Sequence, residues 1–272
     1  MYEFKNLNNK NKMETTQIKE TVKKAYTNVL TERGSGCCGT DCCSTGESMA
    51  DDYATLEGYV AEADYGLGCG IPTEYANIKE GDVVLDLGSG AGNDVFIASK
   101  TVGDKGKVIG LDMTEAMIEK ANANKAKLGF ENVEFRFGEI ESMPVENNSI
   151  DVVLSNCVLN LVPDKEKAFS EIHRVLKSGG HFTISDIVIS DDLPEKVRKT
   201  AELYAGCISG AVKKEDYLNI ISDSGFKDVK ILKEKVIDIS DESMLKYISA
   251  EELDDYKNRG NRILSITVKG VK

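Results

Sequence analysis

Val83-Val84-Leu85-Asp86-Leu87-Gly88-Ser89-Gly90-Ala91-Gly92 is the stretch that decides how this 272-residue chain is read. Four apolar positions around one acid predict a buried strand. The glycines that follow predict a turn that a bound molecule approaches closely, because a Cβ there would collide with it. Outward from this stretch the pattern repeats. Lys107–Leu111, Val133–Phe137, Ile150–Leu154 and His181–Ile189 read as strands, and 93–102, 114–128 and 164–176 have helical length and periodicity. Strands alternating with helices at this spacing predict a parallel α/β sheet covered on both faces. Gly179-Gly180 is expected to cap the helix before the fifth strand.

The glycine loop discriminates among ligands. The dinucleotide fingerprint needs a third glycine five positions after Gly88, where this chain has Asn93. The Lys-Ser/Thr of a phosphate-binding P-loop is also missing. Asp86 at the strand end would repel a pyrophosphate and suits the ammonium of a methionine moiety, so the loop points to S-adenosylmethionine. Asp112 ends the second strand, 22 residues after Gly90, where an acid accepts hydrogen bonds from ribose hydroxyls. Glu139-Ile140 follows the third strand, where an adenine edge would lie, and Asn156 ends the fourth. Ligands of open α/β sheets bind at the carboxyl ends of the strands, which all these positions share. Gly88, Ser89, Gly90 and Gly92 form the cradle, and Met113 either covers the adenine or fills core. Against this stands a bland reading, a generic turn whose glycines serve packing. It leaves the agreement of loop, acids and strand order unexplained.

Before the sheet, Ile18, Val22, Ala25 and Val29 form one helical stripe, predicting a helix over 14–32. A glycine-rich loop with Cys37, Cys38, Cys42 and Cys43 follows, then an ambiguous, partly helical connector at 53–65 and a loop at 65–72. After 190 come expected helices at 194–206 and 214–224 and strands at Val229–Ile239 and Ile263–Val268, with Asp254-Asp255 in a polar turn. The expected architecture is a Rossmann-like α/β class I methyltransferase fold with a small C-terminal α+β domain. Its parts are an N-terminal helix and cysteine loop at 1–47, a cofactor-binding domain at 48–190 and a substrate-binding part at 191–272. There is no internal repeat or low-complexity tract.

Composition excludes several classes. The chain has 34 basic and 46 acidic side chains, a net charge of −12. It would repel a phosphate backbone, so nucleic acid is not an expected partner. No run approaches the roughly 18 to 20 apolar residues of a membrane span. The polar first residues read as a disordered tail, with Met13 a candidate start, and carry no secretory signal. Seven cysteines without such a signal predict a reducing, cytoplasmic setting, where they serve metals or catalysis more often than structural disulfides.

Cys69, Cys157 and Cys207 are isolated, and each alone is ordinary packing material. Cys157, however, follows Asn156 at the mouth of the expected crevice, and Cys69 sits in a glycine-rich loop. A soft thiolate set selects a soft metal or metalloid. Trivalent arsenic fits three thiolates in a pyramid, with a lone pair at the apex that could attack a sulfonium methyl. The four clustered cysteines suit a mobile thiol arm better than structural zinc, which prefers spaced pairs on two elements. His173 and His181 read as structural.

The stretches Leu85–Gly90, Gly110-Leu111-Asp112-Met113-Thr114, Arg174–Gly180 and above all Ser155-Asn156-Cys157-Val158-Leu159-Asn160-Leu161-Val162-Pro163-Asp164-Lys165 resemble the arsenite S-adenosylmethionine methyltransferases. The likeness covers nearly all of 35–272. It implies arsenite, delivered as a thiol conjugate, as substrate, with Cys69, Cys157 and Cys207 holding trivalent arsenic. It also implies disulfide exchange between Cys69 and one of Cys37, Cys38, Cys42 and Cys43, with Cys42 or Cys43 favoured, reset by glutathione or thioredoxin. Tyr65 looks like the tyrosine that neighbours cofactor and arsenic in the family. Some relatives carry Glu before the third ligand where this chain has Gly206, which puts a role for that Glu in doubt. The competing expectations are a methyltransferase of a small organic molecule and a metalloid-binding protein without turnover.

Overall fold

The computed structural model describes residues 16–30, 51–193 and 210–272. Helix α1 spans 16–30, and α2 is the short turn Pro72–Tyr75. The sheet then builds through β1 (Val83–Leu87), α3 (Asn93–Val102), β2 (Lys107–Asp112), α4 (Glu115–Leu128), β3 (Val133–Phe137) and β4 (Ile150–Asn156). It continues with α5 (Lys165–Val175), β5 (Leu176–Ile189), α6 (Lys214–Asp223), β6 (Lys227–Ile237), α7 (Asp241–Leu245), α8 (Ala250–Asn258) and β7 (Ile263–Val271). Seven strands form one sheet in the order β3-β2-β1-β4-β5-β7-β6. β1 to β5 are mutually parallel, and β7 runs antiparallel between β5 and β6.

Both faces of the central strands are buried, which is why they read as continuous apolar runs. Leu85, Leu87, Ile109 and Val153 face one core with Phe169, Ile172 and Val175 of α5. Val84, Val108, Val152 and Leu154 face the other with Val95, Phe96 and Ala98 of α3. The order of strands reverses between β1 and β4, and crevices open at such a switch point.

The final strands, read from the sequence as the β part of a small C-terminal unit, extend this same sheet. β7 pairs with β5 from His181↔Val271 to Ile189↔Ile263. Its Ile263, Leu264, Ile266 and Val268 are buried along with the alternate Ser265 and Thr267, as befits an interior strand. β6 carries Lys227, Lys230, Lys233 and Lys235 and forms the sheet edge, where charge discourages further strand pairing.

Three local expectations change. α5 stops at Val175 with the extended Leu176 as its cap, so Gly179-Gly180 does not cap it. Instead Gly179, at φ +79°, donates its N–H to the Lys272 carbonyl (3.0 Å). The connector at 53–65 forms turns rather than helix. Asp254-Asp255 lies inside α8, not in a turn. Ser249 starts that helix with a capping box: its hydroxyl accepts from the Glu252 N–H (3.2 Å), and Glu252 accepts from the Ser249 N–H (2.8 Å). The expected helix at 194–206 lies outside the described residues.

Ser249→Ala removes one of the two reciprocal bonds and should cost about 1 kcal/mol. In a chain of this size that lowers the thermal midpoint by about 2–4 °C, measurable by differential scanning calorimetry. An unchanged midpoint would show that the box contributes nothing to stability.

Candidate functional site: an acidic crevice beside two buried cysteines

The loop after β1 enters α3 through three glycines with positive φ, Gly88 (+67°), Gly90 (+51°) and Gly92 (+101°). A Cβ at Gly88 would lie 2.5 Å from Val158, and one at Gly92 would lie 2.8 Å from Phe96 and Phe135. At Gly90 a Cβ would meet nothing within 4 Å, so there the requirement is conformational, not steric.

Two lobes of one crevice meet at Gly88, Asp112 and Val158. The first, of about 690 Å³, is lined by Tyr65, Asp86, Ser89, Asn93, Asp94 and Asn156. The second, of about 560 Å³, is lined by Leu111, Met113, Gly138, Ile140, Glu141 and Leu161.

The first lobe concentrates negative charge. Asp86 is fully buried; burial pushes its carboxyl well above the ordinary range, and the charges of Asp94 and Asp112 push the same way. Burial raises Asp94 to about 6, against hydrogen bonds from Asn156 and Tyr53. Asp112 is raised by burial and opposed by backbone donors. It accepts from the Gly90 N–H (3.0 Å) and the Thr114 N–H (2.8 Å), so it fixes the glycine loop as well as lining the crevice. Ser89 Oγ and Asn93 Oδ1 are buried in this lobe with no hydrogen-bond partner among the described residues. Four acids, Asp64 among them, and two unsatisfied polar atoms fit a ligand that is cationic and also hydrogen-bonds. S-adenosylmethionine, with an ammonium, a carboxylate and a sulfonium, meets that description.

Helix α1 walls the second lobe. Val22 is buried, and Tyr26 borders both lobes. Lys19 bridges Glu139 (2.8 Å) and Glu141 (2.9 Å). Burial alone would lower Lys19, but its two carboxylate partners outweigh that and hold it above the ordinary range. Of the expected adenine-edge pair, Ile140 lines the crevice, while Glu139 is engaged by Lys19.

Cys69 and Cys157 are both thiols, each 1% exposed, in one apolar cluster with Leu161, Ile187 and Ile189. Cys157 has φ +60°, a backbone conformation that costs a non-glycine residue roughly 1–2 kcal/mol. Its N–H donates to the Ser185 carbonyl (2.7 Å). The bend turns the chain at the end of β4, beside the crevice mouth. Cys69 is tied to the same strand end, because its N–H donates to Asn156 Oδ1 (3.0 Å). Cys207 and the quartet Cys37, Cys38, Cys42 and Cys43 lie outside the described residues. Ala211, four positions after Cys207, packs in the same cluster as Cys69 and Cys157. Among the described residues no group of three or more His, Cys, Asp or Glu is placed to hold a metal ion.

His173 packs its edge on Phe226, and His181 bonds the Ala76 carbonyl, so both serve packing. Sequence reading missed Asp94, Tyr53, Lys19 and Tyr26. Asp94 carried a signal, an acid in the first turn of the helix that the glycine loop opens. The other three carry none, since only the fold brings them to the crevice. No described helix is long and apolar enough to cross a membrane.

A methyltransferase domain model matches residues 78–225. The arsenite methyltransferase of Halobacterium salinarum is 38% identical over 271 residues, covering 94% of this chain and 67% of that protein. The arsenite methyltransferase of Mus musculus is 34% identical over 242 residues, covering 84% of this chain and 63% of that protein. The chain thus spans about two thirds of the length of these relatives. The crystal structure of an arsenic(III) S-adenosylmethionine methyltransferase from Chlamydomonas reinhardtii superposes with a TM-score of 0.65 at 36% identity, covering 83% of this chain and 72% of that one. In sequence and in fold, this chain belongs to the S-adenosylmethionine-dependent arsenite methyltransferases.

Proposed function

We propose that this chain methylates trivalent arsenic held by Cys69, Cys157 and Cys207, and that it regenerates trivalent arsenic by thiol–disulfide cycling. The observation that carries the reading is the burial of Cys69 and Cys157 in one cluster at the strand end that borders the acidic crevice. Cys207 is four residues before Ala211, a member of the same cluster. S-adenosylmethionine, when bound, supplies an electrophilic methyl group on a sulfonium.

The protein's part is mainly placement. Asp86 and Asp94 attract the cationic end of the cofactor, the Gly88–Gly92 loop admits it against the backbone, and Asp112 is the candidate ribose acceptor. The thiolates present arsenic with its lone pair free. With the cofactor bound, that pair would take up its methyl group and leave the cofactor as a neutral thioether, so neither a general base nor a protein nucleophile would be required. Arsenic thereby becomes pentavalent. Two cysteine thiolates, Cys69 and an N-terminal partner such as Cys42 or Cys43, return two electrons and become a disulfide. Glutathione or thioredoxin then reduces that disulfide. Thiols kept reduced between turnovers suit the cytoplasm.

Lys19 gives the crevice a latch. Its two carboxylates lie on the strand β3 side and its backbone on α1, so the pairing holds α1 over the second lobe.

Cys157→Ser and Cys69→Ser should each lower methylarsenical formation at least about 100-fold, with cofactor affinity retained, as judged by mass spectrometry of arsenic species and calorimetry. Normal methylation by both variants would sink the assignment. Cofactor affinity should also depend on pH. A bound cation stabilises the Asp94 carboxylate and lowers its pKa, so binding releases a proton below about 6. Affinity is then flat above that pH and weakens as pH falls through it. Titrations between pH 5 and 7.5 read this directly, and a flat profile would rule it out. Lys19→Met leaves buried Glu141 without its cation and should raise the cofactor KM about three- to tenfold. The arsenite KM should stay unchanged, and equal effects on both would deny α1 a role specific to the cofactor.

A further inference from the structure

The Gly68-Cys69-Gly70 turn is anchored at each of its central polar groups. The Cys69 N–H donates to Asn156 Oδ1 (3.0 Å), and the Cys69 carbonyl accepts from Ser265 Oγ (2.6 Å). The Gly70 carbonyl accepts from Tyr53 Oη (2.9 Å) and from Asn156 Nδ2 (2.8 Å). The turn also sits hard against its supports. A Cβ at Gly68 would lie 2.6 Å from the Asn156 amide, and one at Gly70 would lie 2.6 Å from Ser185 Oγ. Asn156 and Tyr53, together with Ser265, therefore fix the position of Cys69.

The same two side chains reach the cofactor crevice. Tyr53 Oη lies 3.1 Å from both Asp94 oxygens, and Asn156 Nδ2 lies 3.3 Å from Asp94 Oδ2 and 2.6 Å from Tyr53 Oη. Tyr53 is 4% exposed, so its hydroxyl bonds within the protein. It has one proton and two competing acceptors, the Asp94 carboxylate and the Gly70 carbonyl. An uncompensated carboxylate is the stronger acceptor and draws the proton. A cation bound beside Asp94 weakens that acceptor, and the proton turns to Gly70.

We infer that Tyr53 is a positioning residue that couples the cationic end of the cofactor, sensed at Asp94, to the turn that carries Cys69. Cofactor binding then tightens the hold on Cys69 and prepares the site for arsenic. By linkage, arsenic binding strengthens cofactor binding by the same factor. This coupling rests on the reading of Cys69 as an arsenic ligand.

The test measures arsenite binding by calorimetry, with a phosphine as the reductant, in the presence and absence of sinefungin, a cationic cofactor analogue without a transferable methyl. In the wild-type chain sinefungin should tighten arsenite binding about tenfold. Tyr53→Phe keeps the ring and removes the proton. It should reduce the effect of saturating sinefungin to within about twofold and lower kcat about tenfold. Wild-type coupling in Tyr53→Phe, or its absence in the unmutated chain, overturns the inference. So does loss of coupling that comes with loss of sinefungin binding. If Tyr53→Phe does not fold, Asp94→Asn titrated at saturating sinefungin reads the same quantity: reduced coupling supports the inference, and full coupling overturns it. Cys69→Ser separates the two levels. Wild-type arsenite affinity in that variant removes the ligand assignment itself. Lost affinity there, together with full coupling in Tyr53→Phe, removes only the role of Tyr53.

Discussion

Three carboxylates, Asp86, Asp94 and Asp112, are held in or around a lobe that no basic side chain lines among the described residues. That arrangement is unfavourable on its own terms. Burial opposes each charge, and Asp86 also feels its two neighbours. The fold sustains it because the acids arrive on different elements at the switch point of a well-packed sheet. Asp86 comes from β1, Asp112 from β2 and Asp94 from the first turn of α3. A ligand bearing positive charge relieves the conflict, so the cost of holding the acids apart from any cation becomes selectivity for a cationic cofactor.

Everything else in the site is arranged around that lobe. The glycines keep Cβ atoms out of the approach, and Val158 fills the space that Gly88 leaves. α1 covers the adjoining lobe and is tied down by Lys19 on two carboxylates. Next to it Cys69 and Cys157 are buried in an apolar setting among aliphatic side chains. An acidic, polar lobe and a buried apolar cluster that holds Cys69 and Cys157 abut at the end of β4. Asn156 belongs to both, since its amide bonds Asp94 on one side and the Cys69 backbone on the other.

The strained backbone at Cys157 belongs to the same design. A residue with φ +60° in place of glycine is tolerated where surrounding contacts over-determine it, and here the bond to Ser185 and the packing of the cluster do so. The bend separates the straight strand, which must pair with β1 and β5, from the thiol, which must leave the sheet.

The chain's own pattern of residues determined the parallel sheet, the glycine loop, and Asp86 and Asp112 at the strand ends. These are local properties: an apolar run of strand length, a glycine where φ is positive and an acid next to either are visible without knowing what lies across the molecule. Cys69 and Cys157 were visible as cysteines, and the resemblance in the run around Asn156 suggested their use. Tertiary structure alone decided the rest. Lys19 lies 120 positions from Glu139, and Tyr53 lies 103 from Asn156. No periodicity or spacing encodes such pairings, because they depend on which surfaces the sheet order brings face to face. The joining of β6 and β7 to the main sheet is of the same kind: a strand pattern states that a segment is extended, and only its pairing partner states where.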